Sequence, residues 1–321
     1  MRILCPNYSP IEDNCLLSGL RRLGNEVRIC NLQAMAPGER ASTWRQAWRA
    51  FRPDLVLNFG YWQGRFRLAD LDPPPGSSRV PFVYWACDDP LFLEISAFPM
   101  AAKADLILTT AEECIPIYQR RGCRAGFLQH GCNPELMRRV SPAETHQFVL
   151  IANNYSQPGA NHFRLRGTMD ILAPLIAAGY EVKVWGQWWT EPSQTYRLPP
   201  GLYGGPLAYE RLAGIYGGAA IVLGLQCHNL SRTQTSCRVF EVLGCGAFYL
   251  GPDTKGSRTY FVPGKHLVLS GSPRETLSLA RYYLAHPEER ARIAAAGQLE
   301  VYRKHTALHR AREFIEQVEG L

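Results

Sequence analysis

Short apolar runs of strand length alternate with helical patterns along this chain, and the alternation is carried through twice. In the first pass, Ile3-Leu4 begins a strand, and Leu16, Leu20 and Leu23 mark one face of a helix that ends at Gly24-Asn25. Val27 and Ile29 alternate as a strand. Trp44, Ala47, Trp48 and Phe51 then recur at the spacing of one apolar helix stripe, closed by Pro53. The runs from Asp54 to Phe59, Val80 to Ala86, Asp105 to Thr109 and Arg124 to Gln129 read as further strands, with Thr110-Ala111-Glu112-Glu113 read as a capping box. After a polar connector over Asn133 to Thr145 the pattern restarts. Strands are expected at Gln147 to Ile151, Tyr180 to Trp185, Ala219 to Leu223 and Ala247 to Leu250, and helices near Phe163 to Ala178 and from Cys237 to Gly244. The tail is helical, opening at Ser272-Pro273-Arg274-Glu275 and again at Pro287, with Thr306 expected to cap the last helix.

Strands that alternate with helices call for parallel sheets covered on both faces. Two such units in 321 residues fit the size at which single cores stop growing. The expected fold is therefore α/β: two Rossmann-like, doubly wound domains facing across a cleft. The boundaries read as 1–138 for the first domain, 146–304 for the second, and 305–321 for a final helix. Ligands of such sheets sit beyond the carboxyl ends of the strands.

Bulk properties narrow the function. A hydrophobic fraction of 46% with 20% charged residues is that of a globular protein, not a disordered one. The net charge of +7 is spread in pairs such as Arg21-Arg22 and Arg138-Arg139, without the dense basic stripe of a nucleic-acid binder. It suits an anionic small ligand and leaves a peripheral membrane contact open. None of the ten cysteines forms a C-x-x-C pair, so thiols are expected rather than disulfides or a zinc site. No leader-like or membrane-spanning stretch is read, which points to a cytoplasmic protein.

Two segments carry candidate chemistry. In Thr233-Gln234-Thr235-Ser236-Cys237-Arg238-Val239-Phe240-Glu241, hydroxyls and an arginine open a short helix, where unpaired N–H groups suit a diphosphate. Arg238 adds a fork for phosphate oxygens, and Glu241, one turn on, suits the two hydroxyls of a ribose; the plain alternative is a surface ion pair. In Tyr84-Trp85-Ala86-Cys87-Asp88-Asp89-Pro90, two carboxylates lie where a buried strand ends, placed for a general base or for a helix-capping turn. Weaker candidates are Asn154 after the first strand of the second half, Arg164 and Arg166 as phosphate partners, and His130. The indoles of Trp185, Trp188 and Trp189 suit either stacking or packing.

These segments, together with Phe261-Val262-Pro263-Gly264-Lys265-His266 and the run from Tyr282 to Arg310, resemble the CgeB-type (spore maturation protein-like) bacterial glycosyltransferase family. The resemblance implies a GT-B fold whose final helix packs back on the first domain, no essential metal, no cofactor, and a nucleotide-sugar donor held mainly by the second half, with the first half as the acceptor side. It implies phosphate and ribose contacts for Arg238 and Glu241, and places Gly201-Leu202-Tyr203-Gly204-Gly205 near the donor base. The chain departs from the retaining GT-B pattern in carrying Thr233 eight positions before Glu241 instead of a glutamate. It also begins with Pro6-Asn7-Tyr8-Ser9 instead of a Gly-Gly loop. The expected activity is hexosyl transfer from a UDP-sugar to a hydroxyl acceptor, catalysed with Asp88 or Asp89. A UDP-sugar epimerase and a non-catalytic glycan-binding or coat-assembly protein are the alternatives.

Overall fold

A computed structural model of the chain describes residues 1–60, 67–142, 145–159 and 162–321. It divides into one unit formed by Met1–Gly131 with Ala307–Leu321, and a second formed by Cys132–Thr306.

The first unit is built on six strands: β1 (Arg2–Cys5), β2 (Glu26–Ile29), β3 (Leu55–Phe59), β4 (Phe82–Ala86), β5 (Leu106–Thr109) and β6 (Ala125–Phe127). They lie in the order β2-β1-β3-β4-β5-β6, and every pairing is parallel. β3, β4 and β5 are buried along their whole length, as continuous apolar runs covered on both faces must be. One covering layer includes helix Arg40–Phe51, whose Trp44, Trp48 and Phe51 enter the core as their spacing predicts. Its last turn closes on Arg52 in the left-handed region at φ 49°, one residue before Pro53.

The opposite face is covered by two segments far apart in sequence. Pro10–Glu12, Asp13–Leu17 and Ser18–Arg22 follow one another as helical turns, the middle one widened to π geometry. Helix Ala307–Val318 returns to pack beside them, sending Ala311, Phe314 and Val318 into the same core as Ile3, Leu16, Leu20 and Trp85. The approach is close because Gly19 has no side chain: a Cβ there would lie 2.1 Å from the carbonyl oxygen of Ala307. Two side chains fasten the helix to the end of β6, Arg310 Nε donating to the carbonyl of His130 at 3.0 Å and Gln317 Nε2 to that of Phe127 at 2.9 Å.

The second unit carries β7 (His146–Ile151), β8 (Val182–Trp185), β9 (Ala219–Leu223), β10 (Tyr249–Pro252) and β11 (Val268–Ser270). Their order is β11-β10-β9-β7-β8, again all parallel, and Tyr203 adds an isolated parallel bridge to Val184 of β8. Helices Pro273–Ala285 and Pro287–Lys304 pack on this sheet, each opened by a proline at its first turn. Ser272 Oγ accepts from the Glu275 amide, but the Glu275 carboxylate turns to Gly271, so only half of the expected capping box forms there. At Thr110 none forms. That hydroxyl donates to the carbonyl of Cys87, and the helix beyond starts without a side-chain cap. All ten cysteines are thiols, and no helix among the described residues is long and apolar enough to cross a membrane.

The carboxyl-terminal helix is integral to the first core. Phe314→Ala, which empties a fully buried site, is expected to cost roughly 3–5 kcal/mol of stability in denaturant unfolding. A loss under about 1 kcal/mol would mean that the tail is only loosely attached.

Candidate functional site

Parallel pairing sends every strand out of its sheet at the same edge, and both sheets gather polar residues there. In the second unit the chain leaves β8, passes over β7 and enters β9, so the carboxyl ends of β7 and β9 flank the switch point of the sheet. Arg164, on helix His162–Gly167, reaches across that point. Its guanidinium donates to the Sγ of Cys227 at 3.1 Å and lies 5.5 Å from the centre of the Tyr155 ring.

Beyond β9 the chain forms the loop that leads into helix Cys237–Gly244. Gln226 organises this loop. Its side-chain oxygen accepts from the Ser236 amide at 2.7 Å and from the Thr235 hydroxyl at 3.4 Å, while its nitrogen donates to Tyr249 and Ser257. Ser236 is the N-cap, its hydroxyl accepting from the Arg238 amide. On the first turn Arg238 Nη1 donates to Glu241 Oε2 at 2.7 Å, and the Tyr209 hydroxyl donates to Glu241 Oε1 at 2.7 Å. The carboxylate is almost wholly buried, with 2% of its side chain exposed, whereas Arg238 keeps 25%. Burial works against the Arg238 charge, but Glu241 first, together with Tyr216 and Cys237, outweighs it and holds the guanidinium well above its ordinary pKa. The pair is thus a charged device with its anionic end inside and its cationic end at the surface.

The other second-unit candidates have structural employment. The Thr235 hydroxyl is fully buried and turned toward Gln226 and Ser257, inside the loop. Thr233 is buried, its amide donating to Ser231 and its carbonyl accepting from Tyr260. Asn154 is a pin: its amide nitrogen donates to the carbonyls of Tyr196 at 2.8 Å and Trp188 at 3.4 Å, and its oxygen accepts from the Ser156 amide. Arg166 points outward to Asp170, one turn along on the surface. The Tyr203 hydroxyl donates to the carbonyl of Gly186 at 2.7 Å and thereby joins its loop to the end of β8.

In the first unit Asp88 and Asp89 follow β4, as read, but their environments differ. Asp89 is 2% exposed, and its Oδ2 accepts from the Tyr118 hydroxyl at 2.6 Å and the Thr109 hydroxyl at 2.7 Å. It ties the end of β5 and helix Ile115–Gln119 to the end of β4. Burial raises its pKa to about 6 against those two hydrogen bonds. Asp88 is half-buried, and its charge is felt by Glu12, which is buried in the helical turns after β1. Glu12 is raised by burial first and also by the charge of Asp88, with a hydrogen bond to Ser9 working the other way. The imidazole of His130 lies 5.2 Å from the Trp85 ring and is held down to about 4, by burial first and by Arg310 as well. Asn7 closes the switch point of this sheet, its amide donating to the carbonyl of Phe59 at 2.6 Å.

Glu12, Tyr209 and Gln226 were not among the sequence candidates. Glu12 follows no motif, Tyr209 meets Glu241 across 32 residues, and Gln226 sits in a loop with no periodicity to mark it. Among the described residues no group of three His, Cys, Asp or Glu side chains could hold a metal ion.

Asp89 and His130 act oppositely on stability. Between about pH 4 and 6, native Asp89 keeps a proton that the unfolded chain has lost, so its contribution falls as pH rises. Over about the same range unfolded His130 is protonated while the native ring is not, so its contribution rises with pH. Asp89→Asn removes the first effect. Relative to the parent, the variant should gain roughly 2–3 kcal/mol of unfolding free energy between about pH 4 and 6.5. A parent-to-variant difference that stays flat over that window refutes the assignment.

Comparison with known proteins agrees with this architecture. Residues 167–316 match a family model described as glycosyl transferase-like. The spore protein CgeB of Bacillus subtilis is 22% identical over 235 residues, which cover 69% of this chain and 70% of that protein. Among solved structures, a sucrose-phosphate synthase from Thermosynechococcus elongatus superposes with a TM-score of 0.65 at 13% identity, covering 99% of this chain and 98% of its own. Anabaena HepE, crystallised in complex with UDP-glucose, superposes with a TM-score of 0.64 at 12% identity, with full coverage of both chains. The chain has the paired parallel sheets of the GT-B fold, and the motifs at Tyr84–Pro90 and Ser236–Gly246 together with the spore-protein match support its resemblance to the CgeB-type glycosyltransferases.

Proposed function

We propose that the chain moves a hexosyl group from a nucleotide diphosphate sugar, a UDP-sugar first, to a hydroxyl on a glycan, a protein or a small molecule. The observation that carries the reading is Glu241, a buried carboxylate with an arginine on one oxygen and a tyrosine hydroxyl on the other, at the carboxyl edge of the second sheet. An ionised carboxylate has about four lone-pair positions, and two are occupied here. The remaining two suit vicinal ribose hydroxyls. The exposed end of Arg238 and the guanidinium of Arg164 supply charge-assisted donors for a pyrophosphate. Ser236 sets the first turn on which Arg238 rides. HepE shares this fold and was crystallised with UDP-glucose, which supports UDP-sugars as the first donors to test.

In the transfer, the acceptor oxygen forms a bond to the anomeric carbon while the bond from that carbon to the β-phosphate oxygen breaks. The leaving diphosphate takes the electron pair and is held by preorganised arginine donors. The acceptor proton goes to a carboxylate, and we take Asp88 for that role because it is the half-buried one of the two aspartates. Asp89 has its Oδ2 committed to Tyr118 and Thr109 and serves to hold the turn.

The test is calorimetric titration with UDP, followed by a search for UDP release from UDP-hexoses in the presence of hydroxyl acceptors. Glu241→Gln keeps the shape and one acceptor oxygen but removes the charge, and is expected to weaken UDP binding roughly ten- to hundredfold with the melting transition still cooperative. Asp88→Asn is expected to bind UDP as the parent does and to lose at least about a hundredfold in transfer. Parent-like UDP affinity in Glu241→Gln would refute the ribose assignment. Full transfer by Asp88→Asn would remove that residue from the chemistry.

A further inference from the structure

The three indoles after β8 have separate fates. Trp185 and Trp189 are buried, the Trp189 Nε1 donating to the carbonyl of Ala152 at 2.6 Å. Trp188 stays half-exposed, and its backbone is in the left-handed region at φ 67°. For a bulky aromatic residue this conformation is an outlier, costing on the order of 1–3 kcal/mol, and glycine would adopt it without strain. The surrounding loop holds it there. Gly186, at φ 131°, approaches the Ala152 carbonyl so closely that a Cβ would lie 2.0 Å from the oxygen. The Gln187 amide donates to Asn153 Oδ1 at 3.0 Å, and the Trp188 carbonyl accepts from Asn154. The strained geometry therefore does not serve to bury the ring. It presents an indole at the carboxyl edge of the sheet.

The ring has ordered neighbours. Its centre lies 5.1 Å from that of Tyr155, and the Tyr155 ring lies 5.5 Å from the guanidinium carbon of Arg164. From the switch point toward β8 the edge thus offers a cation, a phenol ring and an indole, in that order. A molecule with an anionic group at one end and a planar ring at the other matches this order. We infer that Trp188 is the stacking surface for the base of a nucleotide diphosphate whose phosphates lie at Arg164. The inference rests on the nucleotide-sugar reading above and adds to it the residue that holds the base. Stacking of this kind tolerates any base, since every base presents a π face.

The test titrates the parent with UDP, GDP and dTDP, carries the tightest of them to the variants, and uses inorganic pyrophosphate as the baseless control. Trp188→Ala and Trp188→Gly should bind the nucleotide roughly ten- to hundredfold more weakly and bind pyrophosphate as the parent does. Trp188→Phe should stay within about threefold of the parent. Trp188→Gly should melt at or above the parent temperature, since glycine relieves the backbone strain, which separates lost affinity from lost folding. Unchanged nucleotide affinity in the alanine and glycine variants overturns the stacking role and leaves the donor reading standing. An equal loss for pyrophosphate overturns it too, because the loop would then be acting on the phosphates. A parent that binds none of the three nucleotides takes down the donor reading and this inference with it.

Discussion

Every strand pairing in the two sheets is parallel, and that constraint determines where this protein keeps its polar chemistry. Parallel strands buried on both faces leave little room for a polar side chain within the sheet itself. Successive strands run the same way, so each one exits at the same edge and the loops collect there. Where the winding reverses, between β7 and β9 and between β1 and β3, neighbouring loops diverge and a ligand can approach the backbone. The residues that span those places have little freedom. Asn7 is anchored on β3, and Arg164 spans from its helix to the Cys227 sulfur.

The loops at these edges are held by buried side chains that saturate one another. The carboxamide of Gln226 joins the start of the Cys237–Gly244 helix to Tyr249 of β10 and to Ser257, so the loop leading to Arg238 is fixed at both ends. Asn154 does the same for the segment between Trp188 and Tyr196, and Asp89 for the ends of β4 and β5. Such networks are useful only when complete, because a buried polar group without a partner costs roughly 1–3 kcal/mol. Their benefit to a binding edge is that little ordering remains to be done when a ligand arrives.

Much of the scaffold was legible because periodicity reports burial. The β9 run Ala219–Leu223 and the helix Cys237–Gly244 fall on the expected residues, and the Trp44, Trp48, Phe51 stripe is buried as its spacing demands. The sequence says least where a short polar side chain has two options. Thr110 and Thr235 both looked available for an amide or a ligand, and in the structure both hydroxyls turn inward to partners brought near by the fold. A spacing argument weighs only neighbours in sequence, and Cys87 and Gln226 are neighbours only in space. The motif around Arg238 and Glu241 was readable for the same reason in reverse, because its two members lie one helical turn apart. Tyr209, which completes the triad, carried no local signal.

The asymmetry of that triad bears on how its members divide their work. A carboxylate exposed over 2% of its side chain cannot stay charged alone, since an ion taken out of water needs a partner to offset the lost solvation. Arg238 is therefore the counterion of Glu241 before it is anything else. Because a quarter of its side chain remains in water, its other N–H groups keep their reach toward an anion. On the proposed reading, a diphosphate would meet a guanidinium whose position is already set by Glu241, and the ribose a carboxylate already set by Arg238 and Tyr209. Neither contact is independent of the other. The pair is one hydrogen-bonded element, and removing either partner leaves the other's charge without its counterion.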